Sequence, residues 1–260
     1  GVGGVEGALW TGGWPRLRVE EVEKDLRNRR EGDDAAGCVQ DVAGPWLERG
    51  VRVFSAWQAN AVPVVRYTVA QVLLAVKGYF RVQPACRYSR QAAHELFDNY
   101  PGSYEIRVGL LGCGAIGRRV AELLVGMDME VLVFDPFLSE EQAAALGVRK
   151  ADMAEIFATC QVVSNHLANL PATVGIIKRE HLLSMQPYST FINTGRGAQV
   201  NEAELIAVLE KRPDLTALLA VMHPAPHADG SKLYTLPNVR LSTHIAGSIN
   251  AEVHPMASYI

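Results

Sequence analysis

The segment between residues 106 and 135 constrains the fold of this chain more than any other. An apolar run at 106–111 leads directly into a glycine-rich turn at 112–117, and a helix-like pattern follows the turn. A second apolar run, Glu130–Phe134, then ends on Asp135. A strand, a tight turn, a helix and a second strand in this order predict one βαβ unit of a parallel sheet.

The glycines of this turn lie where a phosphate group would need them. Gly112 permits the tight turn, Gly114 lets a pyrophosphate approach the backbone, and Gly117 lets the helix pack closely on the strand. The helix directs unpaired N–H groups and the positive end of its dipole towards that phosphate. Asp135 lies eighteen residues after Gly117, where a carboxylate can accept both hydroxyls of an adenosine ribose. A flexible turn is the alternative for the glycines alone, but the whole segment predicts a dinucleotide-binding site.

Composition and charge argue against several classes of partner. The 260 residues are 48% hydrophobic and 20% charged, which is enough to bury one sizeable core or two smaller ones. The net charge of -3, with no dense cluster of Lys and Arg, argues against nucleic acid. The longest apolar stretch, residues 62–76, carries Arg66 and Gln71 and is too short to span a bilayer. We therefore expect a buried helix there, with Pro63 in its first turn, and no membrane partner.

The cysteines indicate a reducing compartment. They form no CxxC pair, so neither a metal site nor a disulfide framework is expected, and free thiols in the cytoplasm fit best. Cys113 lies inside the glycine turn, where it is either a thiol activated by the helix N-terminus or a small residue that the turn tolerates. The other three are Cys38, Cys86 and Cys160.

Beyond Asp135, helical and strand-like patterns continue to alternate. This alternation predicts an α/β fold with a doubly wound parallel sheet, a Rossmann-type dinucleotide-binding domain. Because ligands of such a sheet bind at the carboxyl ends of its strands, functional residues should follow the strands directly. Asn201 followed by Glu204 resembles a helix cap. The predicted helices are Glu140–Leu146, 152–158, 179–185 and 201–211, and the predicted strands are 161–164, Thr190–Asn193, 216–221 and 239–242.

Two loops that follow predicted strands carry reactive side chains. Arg196 lies in a glycine-flanked loop, where a guanidinium suits a bidentate grip on a carboxylate or keto acid. His244 follows another strand, where an imidazole near a nicotinamide suits proton transfer. Taken singly, Arg196 could be a solvated loop residue and His244 could be satisfied by the backbone. Their matching positions at strand ends favour a joint role in one site.

With these residues in view, the chain resembles the D-isomer-specific 2-hydroxyacid dehydrogenases over most of its length. The combination of motifs is specific, although each motif alone is not. The matching segments are residues 55–64 (the entry to the family's interdomain helix), 112–117 with Asp135 and Pro136, His166 and Leu167 with Pro171 and Thr173 (HLP…PxT), 192–197 (INTARG), and 236–239 followed by 244–247 (LPNV…PHIAG).

The resemblance implies a role for each matching residue, with NAD as cofactor and a 2-oxo or 2-hydroxy acid as substrate. Arg196 would hold the carboxylate and carbonyl oxygen of the substrate, and His244 would donate or accept the proton. The amides of the loop Gly37, Cys38 and Val39 would bind the substrate carboxylate. Family members are usually homodimers joined through their nucleotide-binding domains. The implied cofactor-binding residues are Gly112, Gly114, Ala115, Ile116, Gly117, Asp135, His166, Thr173, Thr194, Gly195, Arg196, Ala246 and Gly247.

The chain departs from the family at two positions beside the reaction. Ala220 stands where the family has an Asp facing the nicotinamide, and Ala225 stands where it has the Glu that pairs with the catalytic His. His223 and His227 lie nearby and could substitute, or they are incidental loop residues. Without the Glu, we expect His244 to titrate near its ordinary pKa of about 6.5 unless another group compensates. Smaller departures are Arg66 in place of a Glu, and Asn165 and Ala168 in place of a Leu and a Pro.

The resemblance also predicts how the chain is divided. Residues 1–58 would be part of a flavodoxin-like substrate domain, 59–247 the NAD-binding domain with its interdomain helix, and 248–260 the start of a helix returning to the substrate domain. Within the first segment, 6–11 fits a strand and 15–17 a loop. The charged run at 27–34 falls where the family has an apolar strand, and we predict a loop, because a central strand cannot bury so many unpaired charges.

Two functions follow as candidates. The first is an NAD-dependent oxidoreductase that transfers a hydride between nicotinamide and a 2-hydroxy or 2-oxo acid, and Arg196 and His244 favour it. The second is a catalytically impaired NAD(H)-binding module with a regulatory or partner-binding role, and Ala220, Ala225 and the partial substrate domain favour it.

Overall fold

The chain forms two compact units. The computed structural model describes residues 56–221, 223 and 230–252, together with two short strands at 7–10 and 30–33. One unit comprises Gly1–Pro63 and Gly247–Ile260, and the other comprises Val64–Ala246. The boundaries at 58 and 247 that we inferred from the resemblance stay predictions.

The first unit contains a two-stranded parallel sheet. Strand β1 (Gly7–Trp10) pairs with strand β2 (Arg30–Asp33), and Gly7 lies opposite Arg30. The strand predicted at 6–11 is present, but the loop predicted at 27–34 is wrong for its central residues. The prediction of a loop assumed a central strand, whereas β2 pairs with β1 in a two-stranded sheet.

The second unit is built on a seven-stranded parallel sheet. Its order is β5-β4-β3-β6-β7-β8-β9, so the chain runs outwards from β3 to one edge and then returns to the other side of β3. This reversal is the topological switch point of a doubly wound sheet, and the predicted fold class is confirmed. The strands are β3 (Arg107–Leu111), β4 (Glu130–Phe134), β5 (Arg149–Lys150), β6 (Val162–Asn165), β7 (Thr190–Asn193), β8 (Thr216–Leu219) and β9 (Val239–Leu241).

Helices cover both faces of this sheet. Strands β6, β7 and β8 are buried at every residue, as expected for parallel strands with helices on either side. Gly109 on β3 shows how close the packing is, since a Cβ there would lie 2.3 Å from Cγ2 of Ile156. The helices are α1 (Trp57–Val76), α2 (Tyr79–Ala85), α3 (Arg90–Phe97), α4 (Ala115–Val125), α5 (Glu140–Leu146), α6 (Met153–Thr159), α7 (Arg179–Ser184) and α8 (Glu202–Lys211).

Helix α1 begins earlier than its apolar stretch predicted. Its twenty residues start at Trp57, so Pro63 lies inside the helix and not in its first turn. By length and composition alone α1 could cross a membrane. One face of it, however, carries Val65, Val69 and Val72 into the core of the sheet, in line with the buried helix that we predicted. That the protein has no membrane partner stays a prediction.

The predicted bounds of the remaining helices agree with the structure to within one residue, because local capping signals mark the helix ends. The Asn201 side chain accepts a hydrogen bond from the amide of Glu204 at 3.1 Å and so caps α8 as predicted. Helix α5 begins at a capping box formed by Ser139 and Gln142. After residue 247 the described chain holds only a short 3-10 turn, Asn250–Glu252, where we expected a longer helix to begin.

Candidate dinucleotide and substrate site

The glycine turn lies at the switch point, between β3 and α4. Gly112 has a φ of +93°, and a Cβ there would lie 2.8 Å from the carbonyl oxygen of His166 on the loop after β6. A Cβ on Gly117 would lie 2.0 Å from the carbonyl oxygen of Gly112, so both positions require glycine. Ala115 and Ile116 form the first turn of α4. The turn therefore has the close packing that the motif predicted.

Gly114 differs from the other two glycines because the protein leaves space beside it. A Cβ at this position would meet no protein atom within 4 Å. Gly114 is also the N-cap of α4 and offers no side chain to the unpaired amides of the first turn. A phosphate group fits an open backbone in front of unpaired N–H groups. The turn is thus suited to the pyrophosphate of a dinucleotide.

Asp135 closes the same site from the end of β4. Its Oδ2 accepts a hydrogen bond from the amide of Cys113 at 2.6 Å, and its Oδ1 accepts one from the amide of Phe137 at 2.8 Å. The carboxylate is therefore fixed against the glycine turn and only partly exposed. The predicted role of Asp135 towards a ribose stays a prediction.

Cys113 is not an activated thiol. Burial raises its pKa, with the negative charges of Asp135 and Glu122 acting in the same direction and Arg118 opposing them. A thiol with a raised pKa is not a nucleophile at neutral pH. Of the two interpretations of Cys113, the small residue that the turn tolerates is the one that the structure supports.

His166 follows β6 directly, and its ring faces protein hydroxyls. The Nε2 atom lies 2.9 Å from Oγ of Ser164, and the Nδ1 atom lies 3.2 Å from Oγ1 of Thr194. Burial lowers the pKa of His166 to about 4, so the imidazole is neutral at physiological pH. The side chain thus connects the ends of β6 and β7, and its contact with a cofactor stays a prediction.

Thr173 and Thr194 shape the loops next to His166. The Thr173 hydroxyl contacts the carbonyl oxygens of Ala168 at 2.7 Å and Leu170 at 2.9 Å, so it closes the turn that follows β6. Thr194 is buried at the end of β7, and its Oγ1 lies 3.5 Å from Oγ1 of Thr68 on α1. Their predicted cofactor contacts remain to be tested.

Arg196 lies on the loop after β7, next to the buried Gly195. The Arg196 amide donates to Oε1 of Gln199 at 3.2 Å, and its carbonyl oxygen accepts from Nδ2 of Asn193 at 3.3 Å. The Nη1 atom of its guanidinium donates to the carbonyl oxygen of Gly195 at 2.8 Å. The backbone of the predicted substrate-binding arginine is therefore held on both sides by amide side chains.

His244 lies on the loop after β9, close to Arg196. Its φ is +50°, which is uncommon for a residue other than glycine, and its amide donates to the carbonyl oxygen of Ala220 at 3.1 Å. Its side chain is exposed at the surface, yet partial desolvation lowers its pKa, and the positive charge of Arg196 lowers it further. Our expectation of an ordinary pKa was wrong, because it included neither the desolvation nor the neighbouring guanidinium.

Ala220, which replaces the family's Asp, is buried at the end of β8. Only 2% of its surface is exposed, and it packs in a small apolar cluster with Val64 and Ala246. Ile116, in the first turn of α4, packs on the same cluster. The glycine turn and the loops after β8 and β9 therefore meet at one apolar contact.

Several predicted site residues cannot be placed beside these. Gly37, Cys38, Val39, Ala225 and His227 lie outside the described residues. Gly247 belongs to the other unit, where a Cβ on it would lie 3.0 Å from Oδ1 of Asn60. Among the residues that the structure describes, no group of His, Cys, Asp or Glu side chains is arranged to hold a metal ion.

Sequence reasoning missed the buried polar side chains that support the site. Asn165, Asn193 and Gln199 are at most 2% exposed and hydrogen-bond to one another around Arg196. Asn165 could have been found, since it replaces an expected leucine at the end of a buried strand. Gln199 carries no such signal, because a polar residue in a loop is ordinary.

One protein family matches most of the second unit. The profile described as D-isomer specific 2-hydroxyacid dehydrogenase, NAD binding domain, matches residues 69–246. This range contains β3 to β9, and with them the glycine turn, Asp135, Arg196 and His244.

Individual relatives agree with this match. YoaD of Bacillus subtilis strain 168, a protein assigned to the 2-hydroxyacid dehydrogenases, is 33% identical over 142 residues, which are 54% of this chain and 40% of YoaD. D-3-phosphoglycerate dehydrogenase of Archaeoglobus fulgidus is 28% identical over 204 residues, 77% of this chain and 38% of that enzyme. The chain thus spans about 40% of the length of these relatives.

A solved structure shares the fold. D-lactate dehydrogenase with NAD+ from Lactobacillus jensenii superposes with a TM-score of 0.78, covering 97% of this chain and 80% of that one. The sequence identity is 21%, so this likeness concerns the fold alone.

Proposed function

Since the chain belongs to the D-isomer-specific 2-hydroxyacid dehydrogenases by its NAD-binding domain, we propose that the whole protein is an NAD-dependent oxidoreductase acting on 2-hydroxy and 2-oxo acids. The family and the cofactor are those that the motifs predicted, and both are confirmed. The activity and the substrate class are our proposal, because the matched part is less than half the length of the curated relatives.

The observation that carries the proposal is the placement of Arg196 and His244. They lie on different loops at the carboxyl edge of the sheet, close enough for the charge of one to act on the pKa of the other. A guanidinium can hold the carboxylate and the carbonyl oxygen of a 2-oxo acid through parallel hydrogen bonds. An imidazole beside that carbonyl can exchange a proton with it.

The roles of the protein groups follow from this placement. The nicotinamide, when bound, supplies a hydride in reduction and accepts it in oxidation. Arg196 orients the acid and polarises its carbonyl group. In reduction the protonated His244 gives its proton to the carbonyl oxygen as the new C–H bond forms, and in oxidation the neutral His244 takes the hydroxyl proton. The glycine turn and Asp135 hold the dinucleotide.

Turnover of NADH with a panel of acids tests this function. We expect NADH oxidation with at least one of glyoxylate, hydroxypyruvate, pyruvate and phenylpyruvate. His244→Asn is the matched variant, because Asn adopts a positive φ readily but cannot donate a proton as an imidazolium does. It should bind NADH with unchanged affinity and lose most of the turnover. A wild-type chain that binds NADH and reduces none of the acids would be the binding module that we named as the alternative.

We further propose a homodimer formed through the NAD-binding domain. Several large apolar side chains near α2 and α3 are exposed in the single chain, among them Tyr88 at 91% and Tyr104 at 77%. Exposed aromatic residues are typical of protein interfaces. Light scattering should give twice the chain mass, and Tyr88→Glu should reduce it towards the monomer. A monomeric wild-type chain would contradict the proposal.

We propose a cytoplasmic location for the protein. The cysteines that the structure describes, Cys86, Cys113 and Cys160, are all free. Free thiols are typical of reducing compartments. Fractionation of cells that produce the protein should recover it with cytoplasmic markers, and recovery with a secreted fraction would overturn this assignment.

A further inference from the structure

Three amide side chains form a buried network beneath the loop that carries Arg196. Asn165 ends β6, Asn193 ends β7, and Gln199 lies in the 3-10 turn Gly197–Gln199. Their exposed fractions are 0%, 2% and 0%. Burying an amide costs free energy unless its donors and acceptors are hydrogen-bonded. The hydrogen-bond partners of these three amides therefore show which parts of the backbone the network fixes.

Gln199 joins two loops of the site. Its Oε1 accepts from Nδ2 of Asn165 at 2.6 Å and from the amide of Arg196 at 3.2 Å. Its Nε2 donates to the carbonyl oxygens of Leu167 at 2.8 Å and Ala168 at 2.9 Å. One side chain thus binds the backbone of the substrate arginine with its acceptor and the loop after β6 with its donor.

The two asparagines complete the network. Asn193 accepts from Asn165 at 3.0 Å and from the amide of Gly195 at 3.1 Å. The Oδ1 atom of Asn165 accepts from the amide of Leu167 at 3.2 Å. Gly195 covers the network, since a Cβ there would lie 2.9 Å from both Nδ2 of Asn165 and Oε1 of Gln199. A Cβ at residue 195 would therefore displace the amide groups of the network.

We infer that Gln199 is a positioning residue that sets the Arg196 backbone and the 166–168 loop in one common geometry. The inference rests on the proposed function, in which Arg196 holds the acid, and on the predicted contact of His166 with the cofactor. A misplacement of about 1 Å of a substrate-binding group can cost about 100-fold in rate. Because the hydrogen bonds to Arg196 and to the loop come from opposite ends of one amide, a movement of either loop is transmitted to the other.

Three substitutions separate this role from a general contribution to the core. Gln199→Met keeps the length of the side chain and removes both its acceptor and its donors. Gln199→Glu keeps an acceptor for Arg196 and Asn165 and removes the donors to the loop. Asn238→Leu is the matched control, because Asn238 is an equally buried amide that donates to the carbonyl oxygens of Leu209 and Arg212 and is bonded to neither Arg196 nor the 166–168 loop.

Hydrogen exchange supplies a readout that does not depend on activity. In Gln199→Met the Arg196 amide loses its acceptor, so a peptide covering 193–198 should exchange faster than in the wild-type chain. In Asn238→Leu the exchange of this peptide should not change, even if the melting temperature of this variant falls as far as that of Gln199→Met. Gln199→Glu, measured at pH 8, should keep the protection of Arg196.

Kinetics supplies the second readout, with glyoxylate and NADH as probes. Gln199→Met should raise the KM for glyoxylate roughly 10-fold to 100-fold and also weaken NADH binding. Gln199→Glu should weaken NADH binding with a much smaller change in KM. Asn238→Leu should leave both values as in the wild-type chain.

The outcomes distinguish the inference from the function on which it rests. If Gln199→Met and Asn238→Leu have the same exchange rates and the same KM, Gln199 is a core residue only and the inference is wrong. If the wild-type chain reduces none of the four acids, the proposed function fails, and the exchange of the 193–198 peptide still decides whether Gln199 holds Arg196.

Discussion

Partial desolvation lowers the pKa of the His244 imidazole, and the positive charge of Arg196, which lies on a different loop, lowers that pKa further. The ionisation of His244 is therefore coupled to the charge of Arg196. The group that would hold an anionic acid also disfavours the protonated His244, which reduction needs. Once a substrate carboxylate neutralises the guanidinium, the charge of Arg196 should lower the pKa of His244 less.

The first prediction concerns pH. Because the pKa of His244 is lowered, the protonated form is present only below the ordinary value of about 6.5. The kcat/KM for 2-oxoacid reduction should rise as the pH falls through that region, and oxidation of the 2-hydroxy acid should favour higher pH. Arg196→Gln should raise the pKa of His244, measured by NMR titration of the imidazole. Arg66→Gln, which removes an exposed charge on α1, is the control. Equal effects of the two variants would contradict the coupling.

The second prediction concerns the guanidinium of Arg196. An ammonium cannot reproduce its planar pair of donors, and hydrogen bonds to charged groups contribute about 1.5–3 kcal/mol. Arg196→Lys should therefore reduce kcat/KM for the 2-oxo acid roughly 10-fold to 100-fold. The dissociation constant of NADH, measured by fluorescence, should change little. If reduction is intact in Arg196→Lys, the residue does not bind the substrate.

The third prediction concerns the choice of dinucleotide. The Asp135 carboxylate, fixed by the amides of Cys113 and Phe137, should repel the 2′-phosphate of NADP. We expect tighter binding of NADH than NADPH, and a weaker preference in Asp135→Ala. Asp135→Asn removes the charge and keeps an acceptor for one of these two amides, so it disturbs the loop less than Asp135→Ala does. Equal affinity of the wild-type chain for both dinucleotides would refute the assignment.

The fourth prediction concerns stability in acid. The folded pKa of His166 is about 4, below the ordinary value of about 6.5 in an unfolded chain. Above pH 6.5 both states hold a neutral imidazole. As the pH falls from about 6.5 to about 4, the unfolded state binds the proton first, so stability is lost through this window.

Urea unfolding at pH 7 and pH 5 measures this loss. His166 alone should account for roughly 2 kcal/mol of the difference in unfolding free energy. His166→Asn, which cannot take up the proton, should show a difference smaller by that amount. His94→Asn changes an exposed histidine on α3 and should leave the difference as it is. An unchanged pH dependence in His166→Asn would show that the His166 imidazole is not the cause.

The fifth prediction concerns the two alanines that replace family carboxylates. Ala225→Glu should raise the pKa of His244 and increase 2-oxoacid reduction, by about 10²–10⁴-fold if the new carboxylate is well positioned. Ala220→Asp should lower the melting temperature, because Ala220 is buried against Val64 and Ala246 and a carboxylate there would lack water. The pH–rate profile and thermal unfolding measure these effects. An Ala225→Glu protein that binds NADH without reducing any 2-oxo acid would contradict the oxidoreductase proposal.

The local pattern of the chain already contained most of the NAD-binding domain. The turn after β3 could be predicted from its glycines, because the positive φ of Gly112 and the close packing at Gly117 each require a glycine at one position. The bounds of β4, β7 and α5 were predicted without error, since turns and caps beside them are encoded within a few residues. The loop positions of Arg196 and His244 were predicted for the same reason, because each residue lies shortly after the end of a strand.

Tertiary structure decided the contacts that depend on which strands lie side by side. Asn165 and Gln199 meet because β6 lies beside β7, and no local spacing specifies that pairing. The lowered pKa of His244 arises from partial desolvation and from the charge of Arg196, and neither can be predicted from the sequence around residue 244. Strand β2 pairs with β1, and no local feature of its charged run specifies that pairing. Backbone conformation is a local property, whereas desolvation and electrostatic coupling are fixed only when distant segments pack together.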